Sequence, residues 1–425
     1  MSVFQIEGGR PLQGSVKVQG AKNSVLPILA ATFLAPGECT IHNCPRLTDV
    51  DYTLDILRGL GCTVKREGDT VTVDASAPTG WSVPDSLMRE MRSSVILLGA
   101  ILGRLGQAEL SYPGGCELGP RPIDLHISAL RSLGAEIREE NGRLICAGQL
   151  TGREITLTLP SVGATENIML AAVAAQGTTT ITNAAREPEI VDLQTFLNGL
   201  GADVRGAGSS VITVQGGHPL HGGEHTVMAD RIVACTYLSA IAAAGGEGEV
   251  TGVDWRQLAT VTAVLSEAGC RVESYPDRIF LTAPQRLKGV RPIRTAPYPG
   301  FPTDAQAVVM AALCKSAGVT VFVENMFDSR YRHVDELVRM GADIRVEGRV
   351  AVVYGKPQLS GARVRSTDLR GGAALAVAGV GAQGTTVISD LKHIDRGYAD
   401  LASDLAALGV RIVRKDTEET EKISI

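Results

Sequence analysis

The chain has 425 residues, enough for two or three domains that each bury a sizeable core. Its 41 Lys and Arg against 46 Asp and Glu leave a formal net charge of −5, which excludes a general nucleic-acid binder, because backbone binding needs a positive surface. Apolar residues make up 44% and aromatic residues only 4%, with 48 scattered glycines, so close backbone packing and many turns are expected, and no apolar run nears the ~18 residues that span a bilayer.

The opening MSVFQIEGG lacks a basic-then-apolar signal segment, and a cytosolic protein with no membrane insertion is expected. Residues 3–20, VFQIEGGRPLQGSVKVQG, carry strand patterns that belong to no complete repeat unit and are expected to complete the second domain. From there the chain repeats. Six segments are apolar on every side and read as buried helices: SVLPILAATFLA, SVILLGAILG, ENIMLAAVAA, VACTYLSAIAAA, AVVMAALC and GAALAVAG. A Gly-containing turn and a strand follow each, as at residues 178–181.

An amphipathic helix then ends at a glycine. These glycines are Gly61, Gly134, Gly201, Gly269, Gly341 and Gly409, with successive gaps of 73, 67, 68, 72 and 68 residues. Leu193, Phe196, Leu197 and Leu200 stand at i, i+3, i+4 and i+7, and Val261, Val264, Leu265 and Ala268 repeat that stripe. Each glycine suits the left-handed position past a helix, and alternating residues around a turn come next. One unit therefore reads strand, helix, strand, helix, strand, strand. A period near 70 is too long for a solenoid, so the expectation is an α/β protein of two domains with three units each: residues 21–229, and residues 230–425 with 1–20.

The starts of the six buried helices are polar: Lys22-Asn23, Arg92-Ser93, Ser161-Val162-Gly163, Asp230-Arg231, Thr303-Asp304 and Asp368-Leu369-Arg370. A helix start offers unpaired N–H groups and partial positive charge, so several converging starts with Lys or Arg would hold a polyanion; ordinary capping is the competing reading at any one position. A second recurring set, Arg121, Arg186, Arg330 and Arg396, lies between strand and second helix, a register that points to carboxylate or phosphate recognition. Asp304 reads either as a cap or as a general base. His126 reads as a satisfied helix residue.

The eight cysteines form no CxxC pair and have no His at zinc spacing, so reduced thiols are expected. Cys62, Cys146 and Cys270 read as small buried hydrophobes beside strands. Cys116 differs, because YPGGCELGPRP describes an exposed mobile loop in which Arg121 favours the thiolate; a reactive or proton-donating thiol is expected.

The stretches GAKNSVLPILAA, MRSSVILLGA, PGGCELGPRPIDLHI, PSVGATENIM, NAAREPEIVDL, ADRI, FPTDAQA, RHVDELVRMGA, TDLRGGAAL and HIDRGY run in order from residue 20 to 398. Together they resemble the UDP-N-acetylglucosamine 1-carboxyvinyltransferase family of the EPSP synthase superfamily. The resemblance implies the inside-out α/β barrel of enolpyruvyl transferases, two domains of three βαβαββ units hinged about a cleft. It implies transfer of the enolpyruvyl group of phosphoenolpyruvate to the 3′-hydroxyl of UDP-N-acetylglucosamine with release of phosphate, the first committed step of peptidoglycan synthesis. No metal, organic cofactor or obligate protein partner is implied.

By the same resemblance, Lys22, Arg121 and Arg396 clamp phosphoenolpyruvate with Arg330 and Arg370 nearby. Asp304 takes the hydroxyl proton, and Cys116 protonates C3 and is the target of the epoxide fosfomycin. Asn23, Arg92, Pro122, Ile123, Asp124, Leu125, Ser161, Val162, Gly163 and Met326 map around the nucleotide and sugar. Four features depart from the family pattern: Leu159 and Thr48 stand where some members carry Lys, Met326 replaces a smaller residue, and Gly371-Gly372 are more flexible than the usual pair. Two other readings stay in play. One is 5-enolpyruvylshikimate-3-phosphate synthase, against which the PGGCELGPRP loop and SVGATEN argue; the other is a silent nucleotide-sugar-binding paralogue, against which the presence of Cys116, Asp304, Lys22 and Arg396 argues.

Overall fold

A computed structural model describes residues 2–111 and 123–416, so Cys116, Arg121 and Pro122 lie outside the described residues, as does the side chain of Arg92. The described chain gathers into two compact units, residues 20–228 and residues 2–19 with 229–416, and crosses between them at Gln19–Gly20 and Met228–Ala229. No helix among the described residues is long and apolar enough to cross a membrane.

In the larger unit the helices Arg231–Ala244, Thr303–Leu313 and Leu369–Gly381 pack against one another and are buried nearly all round. That burial is what their uniformly apolar sequence requires. Lys315, just past the second of them, donates from Nζ to Ala243 O at 3.2 Å and Gly381 O at 2.7 Å, the C-terminal carbonyls of the other two. One cation, carried just past the end of one helix, thus joins the negative ends of the other two. Burial pushes its amine down from the ordinary lysine value. At the last of these helices Gly371 and Gly372 are not there for flexibility, contrary to the expectation from sequence. A Cβ at Gly371 would stand 2.7 Å from Asp368 Oδ2, and one at Gly372 would meet Ser366 Oγ and lie 2.6 Å from Ile394. The backbone packs too closely for any side chain.

Three four-stranded sheets cover this core, each a parallel pair extended by two antiparallel strands. Two of them borrow strands from the chain start. Leu12–Lys17 runs parallel to Gly246–Thr251, and Ser2–Glu7 lies antiparallel between Thr385–Ser389 and Arg411–Asp416.

The smaller unit repeats the plan around Lys22–Thr32, Leu97–Leu105 and Val162–Ala174. Its first sheet takes the parallel strand from Glu224–Thr226, just before the second crossing, and its second sheet has only three strands among the described residues. The amphipathic stripe of Leu193, Phe196, Leu197 and Leu200 is buried, and all six unit-ending glycines have φ between 92° and 104°. The stretch SVILLGAILG is not one α-helix from its first residue: Arg92–Ile96 is a 3₁₀ turn and the α-helix begins at Leu97. The cause is a side chain inserted into the ladder. Asn167 accepts from Gly99 N at 2.6 Å and donates to Val95 O at 3.0 Å, replacing the i→i−4 hydrogen bond those two groups would have made.

Candidate functional site

In the larger unit the site is built where the three core helices begin. Asp304 is the second residue of Thr303–Leu313, and the capping position belongs to Pro302, so the capping reading of Asp304 does not hold. Its carboxylate instead lies between two guanidinium groups, Arg330 Nη2 on Oδ1 and Arg370 Nη2 on Oδ2 at 3.1 Å. Arg330 is only 3% exposed and also donates to Thr303 O at 3.2 and 3.3 Å, while its guanidinium lies 5.6 Å over the Phe327 ring. Burial works against the Arg370 charge, but Asp304, Tyr398 and Asp230 outweigh it and hold the guanidinium more strongly protonated than usual. Its Nη1 is buried without a hydrogen-bond partner among the described residues. A buried, charged donor with one direction unsatisfied is what an incoming anion would complete.

Behind this pair stands His333, fully buried; burial, with the Arg330 charge adding to it and Asp368 opposing, pushes the ring down to about 4, so it is neutral at neutral pH. Glu324, also fully buried, gathers donors from Thr295 Oγ1, Thr303 Oγ1, Met326 N and Phe327 N within 2.8–3.1 Å. It ties the loop that carries Met326 and Arg330 to the start of the Asp304 helix. Met326 is 37% exposed. Arg396 is half-buried in the 3₁₀ turn Leu391–Arg396, and Arg186, in the equivalent place of the smaller unit, is exposed.

In the smaller unit Lys22 and Asn23 open the helix Lys22–Thr32. Lys22 Nζ sits 2.7 Å from Asp49 Oδ2, both largely buried. Pro27 inside this helix has no N–H, so the carbonyl of Asn23 four residues earlier loses its intrahelical donor and is left for another. Ser161 caps Val162–Ala174 by accepting from Ala164 N at 3.3 Å, while helix geometry leaves the N–H groups of Val162 and Gly163 without intrahelical acceptors. Ile123 is buried, Leu125 half-buried and Asp124 exposed at the start of Asp124–Ser132. Leu159, just before this start, is 66% exposed. Thr48 begins the helix that carries Asp49.

The six helix starts are therefore not alike, as their sequences had implied. Asp230 and Asp368 turn their carboxylates onto their own helices, accepting from Ile232 and Val233, and from Arg370 and Gly371. Those two ends are filled by their own caps. Asp49, Glu324 and Asn167 were not foreseen; all three are buried, and only Asn167, a polar amide within an apolar stretch, left a trace in the sequence. The described cysteines are free and buried, and burial pushes Cys62 and Cys146 up to about 11 and Cys44, Cys235, Cys270 and Cys314 to about 12, so they remain inert thiols.

Comparison with known proteins bears on this arrangement at full length. Residues 6–405 match the family model for EPSP synthase (3-phosphoshikimate 1-carboxyvinyltransferase). UDP-N-acetylglucosamine 1-carboxyvinyltransferase 2 of Caldanaerobacter subterraneus subsp. tengcongensis is 51% identical over 415 residues, covering 97% of this chain and all of that one. UDP-N-acetylglucosamine 1-carboxyvinyltransferase 1 of Symbiobacterium thermophilum is 49% identical, covering 97% of this chain and 95% of its own. Among solved structures, the enolpyruvyl transferase NikO of Streptomyces tendae superposes with a TM-score of 0.88 at 27% identity, covering 97% of this chain and 99% of that one. The fold is thus that of the enolpyruvyl transferases, and with relatives this similar from end to end the chain belongs to the UDP-N-acetylglucosamine 1-carboxyvinyltransferase family of that superfamily.

Proposed function

We propose that this chain transfers the enolpyruvyl group of phosphoenolpyruvate to the 3′-hydroxyl of UDP-N-acetylglucosamine and releases inorganic phosphate. The observation that carries this reading at the site is Asp304, a carboxylate at the start of a buried helix flanked by two buried guanidinium groups, one of them with an unsatisfied donor. A base beside a double cationic clamp suits a reaction that joins a hydroxyl to an electrophilic carbon of an anionic substrate.

In the proposed sequence Lys22, Arg121 and Arg396 hold the carboxylate and phosphate of phosphoenolpyruvate, with Arg330 and Arg370 beside them. The incoming anion competes with Asp304 for the guanidinium donors and frees the carboxylate. Asp304 takes the 3′-hydroxyl proton as that oxygen bonds to C2, and the Cys116 thiol gives a proton to C3. The carbon–oxygen bond to phosphate then breaks as C3 loses a proton, restoring the enol ether. Asn23, Arg92, Pro122, Ile123, Asp124, Leu125, Ser161, Val162, Gly163 and Met326 line the nucleotide-sugar side. Helix-start N–H groups at Val162 and Gly163 support a diphosphate there, in place of the charge that Leu159 does not supply.

The test joins two assays. Phosphate release from phosphoenolpyruvate should depend on UDP-N-acetylglucosamine and not on shikimate 3-phosphate; no release with either acceptor would leave a silent binding protein. Intact mass after fosfomycin treatment should show a single adduct that Cys116→Ala abolishes, and labelling spread over several cysteines would remove Cys116 from its role.

A further inference from the structure

We propose that Asn167 is a positioning residue which fixes the proton of His126 on Nε2, and that this Nε2–H donates to the diphosphate held at the start of Val162–Ala174. The proposal rests on the nucleotide-sugar function and extends it to two residues that function has not so far involved.

The orientation of the Asn167 amide is settled by backbone groups whose roles are not ambiguous. Gly99 N–H can only donate, so the atom facing it at 2.6 Å is the oxygen; Val95 C=O can only accept, so the atom facing it at 3.0 Å is the nitrogen. Rotating the amide by half a turn would set N–H against N–H and oxygen against oxygen inside a fully buried site. The same Nδ2 lies 3.0 Å from His126 Nδ1. An N–H facing a ring nitrogen requires a lone pair on it, since a proton on Nδ1 would face the amide proton. The imidazole proton is therefore on Nε2.

The ring edge bearing Nε2 points at the helix start. A Cβ added to Gly163 would stand 3.1 Å from His126 Cε1 and 3.4 Å from Nε2, so the imidazole lies directly against the second residue of that helix. A side chain there would push the ring back by a few tenths of an ångström. An oxygen bound by the N–H groups of Val162 and Gly163 comes within reach of a third, side-chain donor whose hydrogen is already in place. Asn167 belongs to the same helix and also interrupts the hydrogen-bond ladder at Val95 and Gly99, so a single amide organises the entry to two helices and the donor between them.

The full-length enzyme, labelled with ring-15N histidine, reads the tautomer directly by NMR. In the wild type, His126 Nδ1 should resonate as an unprotonated nitrogen and Nε2 as a protonated one, and Nε2 should shift when UDP-N-acetylglucosamine is added. Asn167→Asp replaces the donor with an acceptor and should move the proton to Nδ1, raising the Kd for UDP-N-acetylglucosamine about tenfold, the effect of losing one good hydrogen bond. His126→Gln, whose amide can place an N–H near the Nε2 position, should lose less affinity than His126→Asn, whose amide reaches only the Nδ1 position. A role for Asn167 in folding alone would lower the melting temperature and leave the Nε2 response to nucleotide unchanged. Nδ1 protonated in the wild type, a tautomer switch without loss of affinity, or equal losses in the two His126 variants would each overturn the proposal. If Asn167→Asp does not fold, the wild-type spectrum and the two His126 variants decide. Wild-type phosphate release separates the two levels: none with UDP-N-acetylglucosamine sinks the function, whereas normal release with unmoved variant affinities sinks only the tautomer.

Discussion

The beginnings of the core helices in the two units share a sequence register but carry opposite arrangements of charge. In the larger unit one carboxylate, Asp304, is surrounded by two buried cations. In the smaller unit one cation, Lys22, is held by one buried carboxylate, Asp49, and the neighbouring start at Ser161–Gly163 offers only N–H groups and a small cap. The former has an excess of positive charge waiting beside a base, and the latter a single cation locked in place beside uncharged donors. Equivalent position in a repeat thus fixes where a side chain points and leaves its chemistry to the partner it finds. That partner comes from elsewhere in the chain.

The largest effect should come from breaking the larger unit's arrangement. Asp304→Asn removes the proposed base and leaves two buried guanidinium groups without their anion, so kcat should fall by about 10²–10⁴ while UDP-N-acetylglucosamine still binds by calorimetry. Near-normal turnover would reduce Asp304 to a structural counter-ion. On the other side, Lys22→Met should raise the KM for phosphoenolpyruvate by about 10–100-fold. Asp49→Asn, which keeps the Lys22 charge but loosens its position, should raise it less, and equal effects would mean that placement rather than charge is what matters.

Lys315→Met tests the opposite end of the larger unit's helices, where the last carbonyls of two helices would lose their shared donor; a drop of about 1–2 kcal/mol in unfolding free energy by denaturant titration is expected, with KM values unmoved. The smallest effect belongs to Glu166 in the smaller unit. Burial, then Glu189 and Glu187, hold its carboxyl well above the ordinary range. The folded protein keeps this proton at pH values where the unfolded chain releases it, so stability falls as pH rises from the ordinary carboxylate value through the raised one. Glu166→Gln should remove that decline and stabilise the protein by about 1 kcal/mol at pH 8, with little change at pH 4. A wild-type midpoint that does not fall between those pH values would refute the assignment.

Much of this could be read from residue order because it depends on periodicity. Apolarity on every side marked six helices that the structure buries, and the glycines after the amphipathic helices all take left-handed backbone. Register also brought Asp304, Arg330 and Arg370 under suspicion before their contacts were visible. What stayed hidden depends on distant pairing. Asp49 looked like an ordinary acid in the first turn of a surface helix, and nothing local told it apart from Asp51 beside it. Asn167 sits in a stretch apolar enough to pass for simple core, yet its amide replaces a backbone hydrogen bond 72 residues away. The exchange of strands at the crossings was half legible: the patterns of residues 3–20 pointed to the second unit, but nothing in them told which strands they would join.

That exchange bears on how the molecule comes into being. The strand Ser2–Glu7 leaves the ribosome several hundred residues before its two neighbours, Thr385–Ser389 and Arg411–Asp416. The unit made of residues 20–228 holds all of its described strands within its own stretch of chain and can assemble while synthesis continues. The opening segment must meanwhile stay unpaired for several hundred residues of elongation, an exposed edge looking for partners that do not yet exist.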